Sequence, residues 1–387
     1  MQSKGLPQNI ILKEIQSRLK KDLTFKSGKI ISSMCTSPHP LAKKVYTQFL
    51  EKNLGDPGLF PATVEMERET IRMLGSLLSN PKASGHIVTG GTEANILALW
   101  TAKKAAEKEH GEVIVPISAH FSLDKAADFL GLNLVKVKLN SQFQADIEAV
   151  KESVNSRTIA LVGVAGTTSL GVVDPIRELS EIAVEKNLYL HVDAAFGGFV
   201  LPFLRELGFN VPDFDFTLPG VCSITVDPHK MGLAPIPAGG ILFRDNDLRK
   251  LIARRVSYMA GGETEQATLV GTRSGASVIA VWALLRHLGM DGYKKIVKRC
   301  MDLTWKLAME IPKIKGFSLV TKPTLNIIGL KSDSFSIRQV AYELRLRGWA
   351  VSLFPKHIRI VVMPHIRERH IEMFLEDLRE ISDKLGG

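Results

Sequence analysis

The chain has 387 residues, 45% hydrophobic and 23% charged, the balance of an ordinary globular protein, and its length suits two domains or a large domain with a smaller appendage. A net charge of +10 does not point to nucleic acid here, because lysines and arginines are spread along the chain with acids between them and form no long basic tract. Three cysteines without CxxC spacing build no disulfide framework, no apolar run approaches the ~18 residues of a membrane span, and the acidic, helix-periodic start is unlike a signal peptide, so a cytoplasmic protein without membrane contact is expected.

Residues 10–21 have the period of an amphipathic helix. "HPLAKKVYTQFLEKNLG" has it too and stops at Gly55 and Pro57; "ATVEMERETIRMLGSLL" follows. A regular alternation then begins. "GHIVT", "VIVPIS", "LVKVKL", "TIALVGVAG" and "LYLHVDA" read as strands, with helices over "GTEANILALWTAKKAAEK", "FSLDKAADFLG", residues 145–153 and "PIRELSEIAVEKN"; "SITVD" and "GGILFR" add two strands. Apolar strands alternating with helices predict a mainly parallel sheet covered on both faces. From about residue 291 the texture changes to a small α+β unit: a long helix over "YKKIVKRCMDLTWKLAMEI", then "FSLVT", "NIIGLK", a helix at 335–347, "WAVSLF", "IRIVVM" and a last helix.

Ligands of open parallel sheets bind at the carboxyl ends of the strands. The polar residues just after the strands are Thr89 to Thr92, His120, Thr167 and Thr168, Asp193, and His229 with Lys230. In "TGGTEAN" the glycines let backbone approach an anion at a helix N-terminus, and Thr92 adds a hydroxyl; this suits one phosphate, although the same residues also make a plain glycine turn with a threonine cap. The pattern is neither GxGxxG nor a P-loop. Asp193 ends an otherwise apolar strand and needs a partner: a protonated ring nitrogen would serve, and a helix cap is the rival. Ala195 leaves room for a flat ring. His120 is either structural or a stacking partner for such a ring. Lys230 is either a solvated loop charge or, walled by Pro228, Met231 and "LAPIPAGG", a desolvated amine of lowered pKa that can form a Schiff base with an aldehyde. Weak singly, these residues together describe a site for pyridoxal 5′-phosphate (PLP), and no metal is expected.

The chain resembles the group II PLP-dependent amino-acid decarboxylases, and among them the archaeal L-tyrosine/L-aspartate decarboxylases. The resemblance runs through "SSMCTSPHP", "NLGDPGLFPAT", "HIVTGGTEANI", "AHFSLDKAADFLG", "AGTTSLGVVDPI", "HVDAAFGG", "SITVDPHKMG", "PIPAGGILF", "QATLVGTRSG" and "IRIVVMPHI". It implies the aspartate-aminotransferase-like α/β fold (fold type I): a mainly parallel seven-stranded sheet in a large PLP-binding domain over 60–285, an N-terminal arm over 1–59 that packs on a partner subunit, and a small C-terminal α+β domain over 286–387. It also implies that Lys230 carries PLP, Asp193 pairs with the pyridine nitrogen, His120 stacks on the ring and Ala195 lies beneath it. Gly91 and Thr92 would hold the phosphate, with His229 and Thr225 near it, and Thr168 would lie near the ring hydroxyl. "GTRSG", with Gly271 and Thr272, resembles a stretch that reaches the neighbouring subunit's phosphate, so a homodimer is implied. Tyr258, 258 − 230 = 28 residues past the lysine in a Gly-rich stretch, matches the mobile loop whose tyrosine protonates the intermediate. Arg359 matches the arginine that receives the substrate's α-carboxylate. The activity implied is α-decarboxylation of L-tyrosine, L-aspartate or both, with L-glutamate decarboxylation as an alternative. Two rivals are a carbon–carbon lyase resembling sphingosine-1-phosphate lyase and a non-catalytic binder of a phosphorylated ligand.

Overall fold

The computed structural model describes residues 1–386. Three helices open the chain: α1 (Gln8–Leu19), α2 (Pro40–Gln48) and α3 (Pro61–Leu77). The second and third start on proline, whose missing N–H costs nothing in a first helical turn. The expected alternation follows as β1 (Ser84–Val88), α4 (Gly91–Ala105), β2 (Glu112–Pro116), α5 (Ser122–Leu130), β3 (Asn133–Val137), α6 (Ile147–Ser153), β4 (Thr158–Val164), α7 (Ile176–Glu185), β5 (Tyr189–Asp193), α8 (Leu201–Glu206), β6 (Val221–Val226) and β7 (Gly239–Phe243). These strands form one seven-stranded sheet in the order β1-β7-β6-β5-β4-β2-β3. Only β7 runs antiparallel to its neighbours. Strands β2, β4, β5 and β7 are buried along their whole length, as a sheet covered on both faces requires.

A short helix α9 (Asn246–Lys250) and a hairpin of β8 (Arg254–Val256) and β9 (Thr264–Gln266) lead to α10 (Gly275–Glu310). That helix starts well before the residues whose period announced it, on a Ser274 cap, and is broken at Gly289, where φ is +55°. It joins the large sheet to a second, antiparallel one. There, β10 (Phe317–Leu319), β11 (Ile327–Ser332), α11 (Ile337–Leu346), β12 (Ser352–Leu353), β13 (Ile358–Val361) and α12 (Glu368–Gly386) form the order β10-β11-β13-β12 with its own core around Trp349, Phe374 and Leu378. The segment before α2 is threaded into this unit: Ile30 bridges Ala350, and Val361 N–H donates to the Ile31 carbonyl at 2.7 Å.

One polar seam runs between α4 and the sheet. Asn95, fully buried on α4, donates to the Asp193 carboxylate at 3.0 Å and to Ser122 Oγ at 2.8 Å. Its carbonyl oxygen accepts from Thr225 Oγ at 2.7 Å and meets His191 Nε2 at 3.0 Å, while His191 Nδ1 meets Ser223 Oγ at 2.8 Å. Strand alternation explains the grouping: Ser223 and Thr225 share the β6 face turned to α4, whereas Ile224 and Val226 face the opposite core. Burial pushes the His191 imidazole down to about 4, against the opposing pull of Asp193. The unfolded chain, with an ordinary histidine near 6.5, therefore binds more protons than the folded one across that interval. Stability carried by neutral His191 is complete above pH 6.5 and is lost as the pH falls towards 4. The stability difference between wild type and His191→Gln, measured by denaturant unfolding, should thus fall by about 3 kcal/mol between pH 7 and pH 4. A difference independent of pH would mean that the ring titrates normally.

Candidate active site

The carboxyl ends of β1, β2, β4, β5 and β6 converge on a cavity of about 320 Å³. Gly90, Gly91, Thr92, His120, Thr168, Asp193, Ala195, His229 and Lys230 all line it, so most of the residues gathered from the strand ends do come together. The glycines of "TGG" serve close approach. A Cβ on Gly239 would sit 2.4 Å from Gly90 Cα, and one on Gly91 would sit 2.9 Å from Asp227 Oδ2 and 3.4 Å from the Ala195 methyl. Glu93 fastens the turn by accepting from both the N–H and the hydroxyl of Thr89, at 2.9 and 2.7 Å.

Asp193 sits at the end of β5 with both oxygens engaged, one by Asn95 and the other by the Ala195 N–H at 3.1 Å. His120 follows β2. The N–H of Ser122 donates to its Nδ1 at 3.2 Å, which leaves the ring proton on Nε2; burial pushes the imidazole down and favours that neutral form. His229 is fixed in the same sense, because the Ala238 N–H donates to its Nδ1 at 3.1 Å.

Lys230 is reached through a tight turn. Its N–H donates to the Asp227 carbonyl at 3.0 Å, which sets the two side chains on one side, with Nζ 3.1 Å from Asp227 Oδ2. Here the structure corrects an expectation. Burial does pull the lysine down, but Asp227 and Asp193 outweigh it and the net shift is upward. Before any ligand enters, Lys230 is an ammonium in an ion pair rather than a desolvated free amine.

Five of the expected site residues do not line this cavity. Thr225 is fully buried in the polar seam and gives its hydroxyl to Asn95, so it is not available to a phosphate in the cavity. Tyr258 is 85% exposed in the β8–β9 turn and outside the chain's own cavity. Gly271 is exposed with open space around it, and Thr272 packs over Gly55. Arg359 does not line the cavity either. It is nevertheless buried (9% exposed) on an inner strand, donating to the carbonyls of Thr168 at 2.8 Å and Ser32 at 2.6 Å, with Nε unpartnered.

Asn95, Asp227, Met34 and Phe196 also line the cavity without having been singled out from the sequence. Asn95 and Asp227 stand inside motifs quoted for other residues, and Asn95 reads as any polar residue of a helix. The residues present suit PLP: a backbone cradle for a phosphate, a carboxylate held by donors for a ring nitrogen, a methyl and an imidazole for the ring faces, and an amine for the aldehyde.

The comparisons agree with this geometry. Residues 1–332 match the family model of the pyridoxal-dependent decarboxylase conserved domain. The chain is 50% identical over 382 residues, 99% of both proteins, to the L-aspartate decarboxylase of Thermococcus kodakarensis. It is 52% identical over 361 residues, 93% of this chain and 99% of the other, to a protein of Methanothermobacter thermautotrophicus named "Probable L-tyrosine/L-aspartate decarboxylase". Among solved structures it superposes on a Burkholderia pseudomallei sphingosine-1-phosphate lyase with a TM-score of 0.92 at 31% identity, covering 99% of this chain and 92% of that one. A match of this extent makes the chain a member of the pyridoxal-dependent decarboxylases, a fold type I enzyme that decarboxylates an amino acid with PLP.

Proposed function

We propose that the substrate is L-aspartate, decarboxylated to β-alanine, with L-tyrosine, decarboxylated to tyramine, as a second substrate and L-glutamate as the alternative. The observation that carries this choice is the lining of the cavity: glycines, threonines and Asn95 leave room for a short polar side chain, and Met34 and Phe196 are the large apolar surfaces an aromatic ring could use. Relatives with half of their residues identical carry aspartate in their names, which supports the same order.

In this proposal Lys230 holds PLP, Gly91, Thr92 and the Nε2–H of His229 hold its phosphate, Asp193 its ring nitrogen and Thr168 its ring hydroxyl, between His120 and Ala195. When bound, PLP supplies the sink for the electron pair that departing carbon dioxide leaves behind. The protein's part is orientation and charge. Asn95 and the Ala195 N–H hold the Asp193 carboxylate so that it keeps a proton on the nitrogen opposite it. Arg359 receives the α-carboxylate and sets its angle to the ring; its burial, its unpartnered Nε and its hold on Thr168 support that role. Tyr258, exposed on its hairpin, delivers the proton to Cα in a partner's cavity. That requires a homodimer, and so does α1, which buries none of its residues within the chain and exposes Ile10, Ile11, Leu12, Ile15 and Leu19. A cytoplasmic location suits three cysteines that remain unpaired.

Incubation of the PLP-loaded protein with aspartate, tyrosine and glutamate separately should release carbon dioxide and β-alanine fastest from the first. Release from glutamate alone would refute the substrate proposal. Borohydride reduction and peptide mapping should place the pyridoxyl label on Lys230, and a label on another lysine removes it from the site. Arg359→Lys keeps the charge and loses the two-pronged match, so kcat/KM should fall roughly 10- to 100-fold, the worth of about 1.5–3 kcal/mol in charge-assisted hydrogen bonds, with PLP absorbance unchanged. If Arg359→Lys and Arg359→Ala both keep wild-type kinetics, the carboxylate is held elsewhere. Light scattering should give a dimer for the full chain and a weakened one after deletion of residues 1–22; a fully active monomer would refute the assembly.

A further inference from the structure

Asp227 is the one acid at the site whose position the proposed roles leave unexplained. It is 2% exposed, its N–H donates to the Ala195 carbonyl at 3.2 Å, and Pro228 fixes the turn that returns Lys230 to it. Oδ2 lies 3.1 Å from Lys230 Nζ and 3.6 Å from His229 Nε2; Oδ1 is buried without any partner. A buried carboxylate with an orphaned oxygen is costly, and more so beside glycines and an imidazole that suit a phosphate, because two anions then share one corner.

We propose that Asp227 is the proton acceptor for Lys230: it holds the unloaded lysine as an ammonium and takes that proton when the lysine bonds to the cofactor, becoming a neutral acid beside the phosphate. Lys230 is again taken as the lysine that carries PLP. An ammonium has no lone pair, so the nitrogen must lose one proton before it attacks an aldehyde carbon. The other titratable groups that face it are poor acceptors. Asp193 has both oxygens engaged by N–H donors. His229 and His120 each use Nδ1 to accept a backbone N–H, so that the nitrogen left to each carries its proton. Cys35, which feels both Lys230 and Asp227, is pushed up by burial and stays a thiol. Asp227 is in hydrogen-bond range and has an acceptor to spare. The step balances: one ammonium proton passes to Asp227, the lone pair forms the bond to the aldehyde carbon, and the carbonyl oxygen leaves as water with the two remaining nitrogen protons. The same transfer frees the nucleophile and removes the charge that would oppose the phosphate.

The test begins on the full chain without PLP. Lys230 is labelled with acetic anhydride across a pH series and followed by peptide mass spectrometry. In Asp227→Asn the midpoint of its reactivity should move down by at least about one pH unit, since an opposite charge at this range is worth one to three. Asp227→Glu should restore it, whereas a merely structural Asp227 would leave it in place. The second measurement needs no variant: loading wild-type protein carrying carbon-13 aspartate with PLP should produce the infrared carbonyl band of a protonated carboxylic acid. An unmoved midpoint in Asp227→Asn, or no such band in the wild type, overturns the proposal. Failure of the Lys230 assignment is told apart by the borohydride map, where the label would fall on another lysine.

Discussion

Four hydrogen bonds to one amide hold the site together. Asn95 has two N–H donors and one carbonyl oxygen with two lone pairs, and the fold uses all of them: Asp193 and Ser122 on the nitrogen, Thr225 and His191 on the oxygen. Through Ser122 the chain of bonds reaches His120, and through Asp193 it reaches the backbone of Ala195. The groups proposed to hold a ring above, below and at its nitrogen are thus linked to a single residue in the first turns of α4. The same helix begins in the glycine turn, so the phosphate cradle and the ring-nitrogen carboxylate share one rigid support. A buried polar network of this kind stabilises only when every member is satisfied, which is why His191 stays neutral and why Thr225 spends its hydroxyl inward.

A second set of contacts ties the small sheet to that support. Arg359, on an inner strand, bonds a carbonyl of the loop after β4 and a carbonyl of the N-terminal segment. His365 bonds the Ile30 carbonyl at 2.8 Å and the Thr36 hydroxyl at 2.8 Å, closing the same junction from the other side. The segment pinned between these two residues is the one that brings Met34 to the cavity. The guanidinium therefore acts on the site even where it does not line it: moving it would release Thr168 and the Met34 segment together.

The order of strands and helices was legible because each carries its own period and punctuation, and the strand-end rule gathered Gly91, Thr92, His120, Thr168, Asp193, His229 and Lys230 without coordinates. What stayed hidden depends on pairs rather than single positions. Thr225 sits two residues before Asp227 on a strand, and which face it takes is decided by α4 packing against β6. Arg359 on an alternating strand could equally belong to a solvated edge; the pairing of β13 with both β11 and β12 puts it inside. Tyr258 is 85% exposed on its hairpin, and an exposed tyrosine carries no packing signal of its own in the sequence. Asn95 carries no chemical signature at all until two strands and a helix bring partners to it.

The protonation state of Lys230 shows why burial alone is a poor guide to reactivity. Its surroundings are as apolar as the sequence announces, with Met231, Leu233 and Ala234 fully packed. In such a place an isolated amine would lose its proton, and an isolated carboxylate would gain one. Placing Asp227 three residues earlier on the same turn reverses the amine's tendency by attraction, and the low dielectric that penalises each charge strengthens the pair. Transfer of one proton across the 3.1 Å Nζ–Oδ2 contact leaves two neutral groups and no net change in charge, which is the state proposed here once a ligand's anion competes for the carboxylate's corner. The motif's spacing thus places a charge partner three residues before the amine, and the sheet supplies the apolar surroundings that make their attraction strong.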